Sequence, residues 1–98
     1  MLEIIWSDHA ENEFISILQY YSARNLSNQY SIKLKKIFQN SLKMLSAFPE
    51  MGRSTDFADV RAMLIEKFYV FYEISELQIK ILSVWDTRQD PENAPYTL

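Results

Sequence analysis

The spacing of apolar residues changes along the chain, from a short continuous run to a helical period and then to alternation. The run at residues 2–6 is almost entirely apolar and predicts a first strand. Ser7 is expected to cap a helix, because its hydroxyl can accept a hydrogen bond from a free N–H group of the first turn, where Asp8 and Glu11 also suit the helix dipole. The residues that follow have the three- and four-residue spacings of an amphipathic helix: Ala10, Phe14, Ile17, Leu18 and Tyr21.

A break at residues 24–27 separates this helix from a second one. Asn25 is expected to end the first helix in the left-handed conformation, and Ser27 is expected to cap the second. One face of the second helix is predicted to hold Tyr30, Leu34, Ile37, Phe38, Ser41, Leu45 and Phe48. Pro49 and Gly52, the only glycine of the chain, predict its end. The short connection predicts an antiparallel helical hairpin that packs on a sheet.

The period becomes that of strands after a polar linker at residues 53–59. Three segments rich in β-branched and aromatic residues follow the linker: Val60–Ile65, Phe68–Ile74 and residues 77–85. The polar pairs at residues 66–67 and 75–76 are short enough to be hairpin turns. The chain of 98 residues therefore predicts one α+β domain, residues 1–98. It contains a strand, an antiparallel helical hairpin and a three-stranded antiparallel meander, with both helices on one face of the sheet.

Alternation along the last two strands puts apolar side chains on both faces of this sheet. On the segment Phe68–Ile74, one face is expected to carry Phe68, Val70, Tyr72 and Ile74. On the last strand, the same face is expected to carry Leu77, Ile79, Ile81 and Trp85. The opposite face is left with an apolar patch predicted from Tyr69, Phe71, Leu82 and Val84. Apolar patches that remain exposed usually mark interaction sites, and the alternative is that chain ends or sheet twist hide these residues.

Composition and charge disfavour nucleic-acid-binding, disulfide-stabilised and membrane proteins. The formal net charge is −3 and the pI is about 5.0, whereas a general nucleic-acid binder usually has a basic domain. The four lysines that crowd one helical segment fit a solvated helix face best: Lys33, Lys35, Lys36 and Lys43. Cysteine is absent, which excludes a disulfide scaffold and fits a reducing cytosol. With neither a signal-peptide pattern nor a long apolar segment, we expect a cytoplasmic protein that does not bind membranes.

Few kinds of reaction chemistry fit the residues present. One glycine cannot form a glycine-rich phosphate loop, so no nucleotide cofactor is expected. His9 is the only histidine, which excludes a histidine-based metal cluster, and no motif supports a Ser-His-Asp arrangement through it. We expect His9 to be merely exposed in the first turn of its helix, and we expect neither a metal nor a cofactor.

A polar cluster follows the last predicted strand, and such strand-end loops often carry function. The residues that could converge there are Arg61, Tyr69, Trp85, Asp86, Arg88 and Tyr96. Metal-independent RNA cleavage requires a base, an acid and a cation for the phosphate. In that hypothesis Arg88 holds the phosphate and Tyr69 or Trp85 stacks on a base, with Arg61 as a further cation. Residue types alone favour the structural alternative, in which Asp86 pairs with Arg88 or Arg61.

Four segments in order resemble the RelE/ParE superfamily, the toxins of bacterial toxin–antitoxin modules. They are residues 5–7 with Ala10, residues 48–53 (FPEMGR), Val60–Ile65 with Phe68–Ile74, and residues 84–91 (VWDTRQDP). The resemblance covers essentially the whole chain. It implies an antiparallel sheet with a helical hairpin on one face, and a cytoplasmic toxin neutralised by a small antitoxin that wraps it through a flexible segment. For the antitoxin we expect the apolar patch defined above, Tyr69, Phe71, Leu82 and Val84.

The resemblance is closer to the ParE-like branch, whose members inhibit DNA gyrase and have no established catalytic residues. RelE-like members cut mRNA on the ribosome with basic residues, but Tyr69, Asp86 and Thr87 stand where that branch often has cations. We therefore expect a gyrase inhibitor whose target-binding residues are Arg61, Trp85, Asp86, Arg88 and Gln89. The alternatives are a ribosome-dependent endoribonuclease that uses Arg61, Tyr69, Trp85 and Arg88, and a non-toxic binding module of the same fold.

Overall fold

The computed structural model describes residues 1–98 and has the predicted α+β architecture. In chain order the helices and strands are β1 (Glu3–Trp6), α1 (Asp8–Asn25), α2 (Gln29–Ala47), β2 (Arg53–Ser54), β3 (Val60–Ile65), β4 (Phe68–Ile74) and β5 (Gln78–Asp86). A short 3₁₀ turn, Pro91–Asn93, lies near the C-terminus. Neither helix combines the length and the apolar character that crossing a bilayer requires.

The sheet has five strands in the order β1-β5-β4-β3-β2. β3, β4 and β5 form the predicted antiparallel meander, and β1 is parallel to β5. The short strand β2 pairs antiparallel with β3, matching Arg53 with Ala62 and Ser54 with Arg61. The prediction of a polar linker at residues 53–59 therefore missed this strand, since a two-residue strand is too short to show alternation.

The helix ends differ from the prediction in their details. Ser7 caps α1 as predicted, accepting a hydrogen bond from the Ala10 N–H at 3.0 Å. The left-handed residue after α1 is Leu26, with φ 52°, and not Asn25. The Ser27 N–H donates to the Ser22 carbonyl at 3.2 Å, which is the outer hydrogen bond of a Schellman motif. In this motif the residue before Ser27 takes the left-handed conformation. The N-cap position of α2 is Asn28, one residue later than predicted, and its side chain makes no capping hydrogen bond. The Ser27 hydroxyl accepts from the Gln29 N–H at 3.2 Å, so Ser27 does cap the first turn.

The main core lies between the helical hairpin and one face of the sheet. Phe14 of α1 stacks between Trp6 and Phe38, with ring centroids 5.4 Å and 4.4 Å apart. The buried residues from the sheet include Phe68, Val70, Tyr72, Ile79 and Ile81. Phe48 was predicted to share the buried face of α2 but is 65% exposed. The helix ends at Ala47, and its spacing no longer determines where the next side chain points.

A bulge in β5 reverses the expected alternation. Phe71 pairs with Ser83, and the next residue of β4, Tyr72, pairs with Ile81. Leu82 therefore has no partner in β4 and is the extra residue of the bulge. Val84 therefore packs in the main core at 3% exposure, and Trp85 joins the opposite face. The predictions that Val84 belongs to the uncovered patch, and that Trp85 shares a face with Ile81, were both wrong for this reason.

Candidate functional site

The sheet face opposite the helices has a small apolar cluster of its own. Val60, Ala62 and Phe71 are buried there, and four partly buried residues surround them: Tyr69, Leu82, Trp85 and Tyr96. Phe71 is only 1% exposed although no helix covers it. The predicted open patch of four residues is thus reduced to Tyr69 and Leu82, because Phe71 is covered and Val84 lies in the main core.

The cover over Phe71 is the C-terminal tail, residues 91–98, which folds back over this face. The Tyr96 ring lies 5.1 Å from that of Phe71 and 5.4 Å from that of Phe57, measured between centroids. The Asp56 N–H donates to the Thr97 carbonyl at 2.7 Å, and the Thr97 N–H donates to the Asp56 carboxylate at 2.8 Å. The alternative considered for this face, that a chain end hides its apolar groups, is therefore correct for Phe71.

Tyr96→Ala is expected to release the tail, because it removes the only ring that packs between Phe57 and Phe71. We expect a loss of roughly 1–3 kcal/mol in the free energy of unfolding. Hydrogen exchange should also become faster in residues 94–98. Tyr20→Ala, at an exposed tyrosine of α1, is the matched control. Equal exchange rates in the two variants would show that the tail is not held by Tyr96.

Asp86 and Arg88 form an ion pair on the helical side of the sheet end. Arg88 Nη2 lies 2.7 Å from Asp86 Oδ2 and also donates to the Tyr21 hydroxyl. The Lys67 ammonium lies 4.5 Å from the centre of the Tyr21 ring, a cation–π distance. The hydrogen bond from Arg88 holds the pKa of Asp86 below its usual value. The predicted pairing of these two residues is confirmed, and it commits the guanidinium of Arg88 to contacts within the chain.

Arg61 lies near the other end of the sheet and does not converge with Arg88. It pairs across the strands with Tyr72, whereas Asp86 pairs with Phe68, four residues along β4 and about 13 Å away at the usual rise per residue. Arg61 Nη1 donates to the Gly52 carbonyl at 2.9 Å and so holds the turn after α2. The expectation that Arg61 belongs to one cluster with the strand-end residues was wrong.

A cleft of about 490 Å³ with both polar and apolar walls lies between α1 and the end of β5. Its walls include His9, Asn12, Glu13, Ser16, Tyr20, Trp85 and Gln89. Glu13 Oε1 accepts hydrogen bonds from the Ser83 hydroxyl at 2.9 Å and from the Val84 N–H at 3.0 Å. The carboxylate therefore ties α1 to the strand just beyond the bulge. His9 is exposed beside it, 3.3 Å from the same oxygen.

Sequence reasoning did not single out Glu13, although its position offered a signal. It stands beside Phe14 and three residues after Ala10, so a carboxylate borders the buried stripe of α1.

The predicted site residues otherwise divide between the two sides of the sheet. Tyr69 and Tyr96 lie on the tail side, and the Asp86–Arg88 pair lies on the helical side. Trp85 and Gln89 line a cavity on each side and so connect them. No group of three or more metal-ligating side chains comes together.

The family model for the "ParE toxin of type II toxin-antitoxin system, parDE" matches residues 4–91. No curated protein matches the sequence. Ten chains of solved structures match, among them one from the "Chromosomal ParDE TA system from P. aeruginosa". That chain has a TM-score of 0.76 at 20% identity, with 90% of this chain and 98% of that chain covered, and at this identity it shows a shared fold. Since the family model covers most of the sequence, this chain belongs to the ParE toxin family of type II toxin–antitoxin systems.

Proposed function

We propose that this toxin acts in the cytoplasm by inhibiting DNA gyrase and that a cognate antitoxin protein neutralises it. The observation that carries the proposal is the family match over residues 4–91. Expression of the toxin alone should then arrest growth. Where the gene pair lies on a plasmid, the same arrest would stabilise the plasmid, because cells that lose the antitoxin gene stop dividing.

The contacts of the two candidate arginines support a protein target over RNA cleavage. Cleavage requires a cation that can bind the phosphate in addition to an acid and a base. Arg88 is engaged by Asp86 and Tyr21, and Arg61 is engaged by the turn at Gly52. The net charge of −3 also opposes the approach of a nucleic acid.

The end of β5 is the surface that we propose for the target. It presents Trp85, Asp86, Arg88 and Gln89, while Arg61 is too far away to belong to it. For the antitoxin we propose contacts with Tyr69 and Leu82, the half-buried residues of the tail-covered face. Phe71 becomes available only if the tail moves, and Val84 is enclosed in the core.

The proposal is tested by inducing the toxin with and without the neighbouring antitoxin gene. A gyrase inhibitor should arrest growth, break DNA and trigger the SOS response only in the absence of the antitoxin. The purified toxin should trap cleaved DNA on gyrase. Cleavage of translated mRNA with intact DNA would contradict the proposal and favour the ribonuclease, and normal growth without the antitoxin would indicate a non-toxic binding module.

Arg88→Ala separates docking from catalysis in the same assays. If Arg88 only shapes the docking surface, we expect a loss of gyrase trapping of roughly tenfold or less, the scale of one polar interface contact. Arg53→Ala, at the exposed short strand β2, is the control and should keep full activity. Complete loss of an mRNA-cleaving activity in Arg88→Ala, with normal folding, would instead assign a catalytic role to this residue.

A further inference from the structure

The cleft between α1 and β5 contains the carboxylate of Glu13, which hydrogen bonds to one of its two oxygens hold in place. Oε1 of Glu13 accepts two hydrogen bonds from β5, whereas Oε2 accepts none within the chain. The side chain is 27% exposed and lines the cleft. A carboxylate that is already oriented loses little freedom on binding, so it can receive a donor from outside at low entropic cost.

Three other polar side chains around the cleft are also able to form hydrogen bonds with a bound partner. The side chains of Asn12, Ser16 and Gln89 make no hydrogen bond within the chain, although all three line the cleft. Trp85 also lines the cleft, although its side chain packs on the tail-covered face with Phe71. Amide and hydroxyl groups suit the backbone of an extended peptide.

The charges in the cleft favour a cationic occupant. Arg88 is paired with Asp86, so the formal charge left in the cleft is that of Glu13, whose imidazole neighbour His9, 3.3 Å away, is counted as neutral at pH 7. The whole chain is also acidic, with a net charge of −3. Complementary charge across an interface selects its partner, and a phosphate or an acidic peptide would meet repulsion at this place.

We infer that the cleft takes a lysine or arginine side chain from the toxin-binding segment of the antitoxin. Glu13 is the counter-ion of that side chain. The inference rests on the proposed neutralisation by a cognate antitoxin. Since the cleft extends to Arg88 and Gln89, its occupant covers the strand end proposed for gyrase. Neutralisation then follows from exclusion of the target.

Glu13→Gln tests the inference, because the amide oxygen can still accept from Ser83 and Val84 while the charge is lost. We expect the antitoxin to bind about tenfold more weakly than it binds the wild type, the scale of one charge-assisted hydrogen bond, with a smaller dependence on salt. Titration calorimetry measures both quantities. Glu76→Gln removes the same charge from an exposed loop between β4 and β5 and should bind as the wild type does.

Ser16→Lys provides a second variant that leaves Glu13 and its hydrogen bonds in place. Residues 13 and 16 are neighbours on the helix surface, so the new lysine should pair with Glu13 from within and occupy the site. We again expect binding to weaken about tenfold. Gln19→Lys, at an exposed position of α1 outside the cleft, is the control. The unfolding midpoint of each variant shows that its fold is intact.

The outcomes separate the inference from the function on which it rests. If the antitoxin binds wild-type toxin, and both Glu13→Gln and Ser16→Lys bind within twofold of their controls, the cleft does not hold a cation and the inference is overturned. If the antitoxin does not bind the wild type at all, the proposed neutralisation itself fails. Where the inference holds, one lysine or arginine of the antitoxin will lose its contribution in the Glu13→Gln background.

Discussion

Val84→Asp is expected to abolish folding. Val84 is 3% exposed, packs in the main core and pairs with Val70 across the strands. An unpaired carboxylate at this place costs several kcal/mol, a large part of the roughly 5–15 kcal/mol that stabilises a typical domain. The new charge would also lie near the carboxylate of Glu13, which accepts from the Val84 N–H at 3.0 Å. Circular dichroism and urea unfolding will measure the loss.

Leu82→Asp is the matched control for this change. Leu82 is the extra residue of the bulge, two positions earlier in β5, and it is partly exposed on the tail-covered face. A carboxylate there can reach water, so we expect a folded protein that loses about 1 kcal/mol. If Val84→Asp folds as well as Leu82→Asp, the two side chains lie on the same face of the sheet and β5 has no bulge.

The sequence predicted the helices and strands well but not the bulge. The apolar residues of β5 change phase between Ile81 and Leu82, since Ile79 and Ile81 alternate with Lys80 whereas Leu82 and Val84 alternate with Ser83. Such a change fits two apolar faces as well as a bulge, so the sequence alone did not distinguish them. No glycine or proline marks the irregularity in this strand. The position of the bulge depends on the pairing of β5 with β4 and on the carboxylate of Glu13. This carboxylate accepts a hydrogen bond from the Val84 N–H, 71 residues away in sequence.

The helix boundaries show a second limit of local reasoning. Asn25, Ser27 and Asn28 are all residue types that favour helix ends, so the sequence contains several competing boundaries. The hydrogen bond from Ser27 to Ser22 decides among them, and it puts Leu26 in the left-handed conformation despite its side chain. Such a choice depends on a difference of about 1 kcal/mol, which residue preferences alone do not resolve.

The two sides of the candidate site depend on contacts that no local pattern predicts. The tail is held through Asp56 and Thr97, 41 residues apart, and the cleft is formed by α1 and the far end of the sheet. The sequence located the strand-end residues because they follow a recognisable strand. The sequence could not predict which of these residues lie on the helical face of the sheet and which on the opposite face, because the bulge determines the direction of the Trp85 side chain. Trp85 and Gln89 therefore connect the tail-covered face to the cleft at α1 only in the folded chain.

Gly52→Ala is expected to have the second largest effect on stability. A Cβ atom at this position would contact the Tyr72 hydroxyl and would lie only 2.9 Å from the Ala62 carbonyl oxygen. That hydroxyl accepts from the Gly52 N–H at 3.0 Å and donates to the Pro49 carbonyl at 2.8 Å, so it cannot move without losing both bonds. We expect a loss of about 3 kcal/mol, measured by urea unfolding.

Tyr72→Phe provides the comparison that identifies the cause. Removing the hydroxyl leaves the Gly52 N–H and the Pro49 carbonyl without this partner and should cost about 1–3 kcal/mol by itself. It also removes the atom that the new methyl group would meet first, although the ring carbon Cε1 at 2.8 Å remains. The double variant should therefore lose less stability than the sum of the two single variants. A purely additive double variant would show that the close approach of Tyr72 is not what requires glycine at this turn.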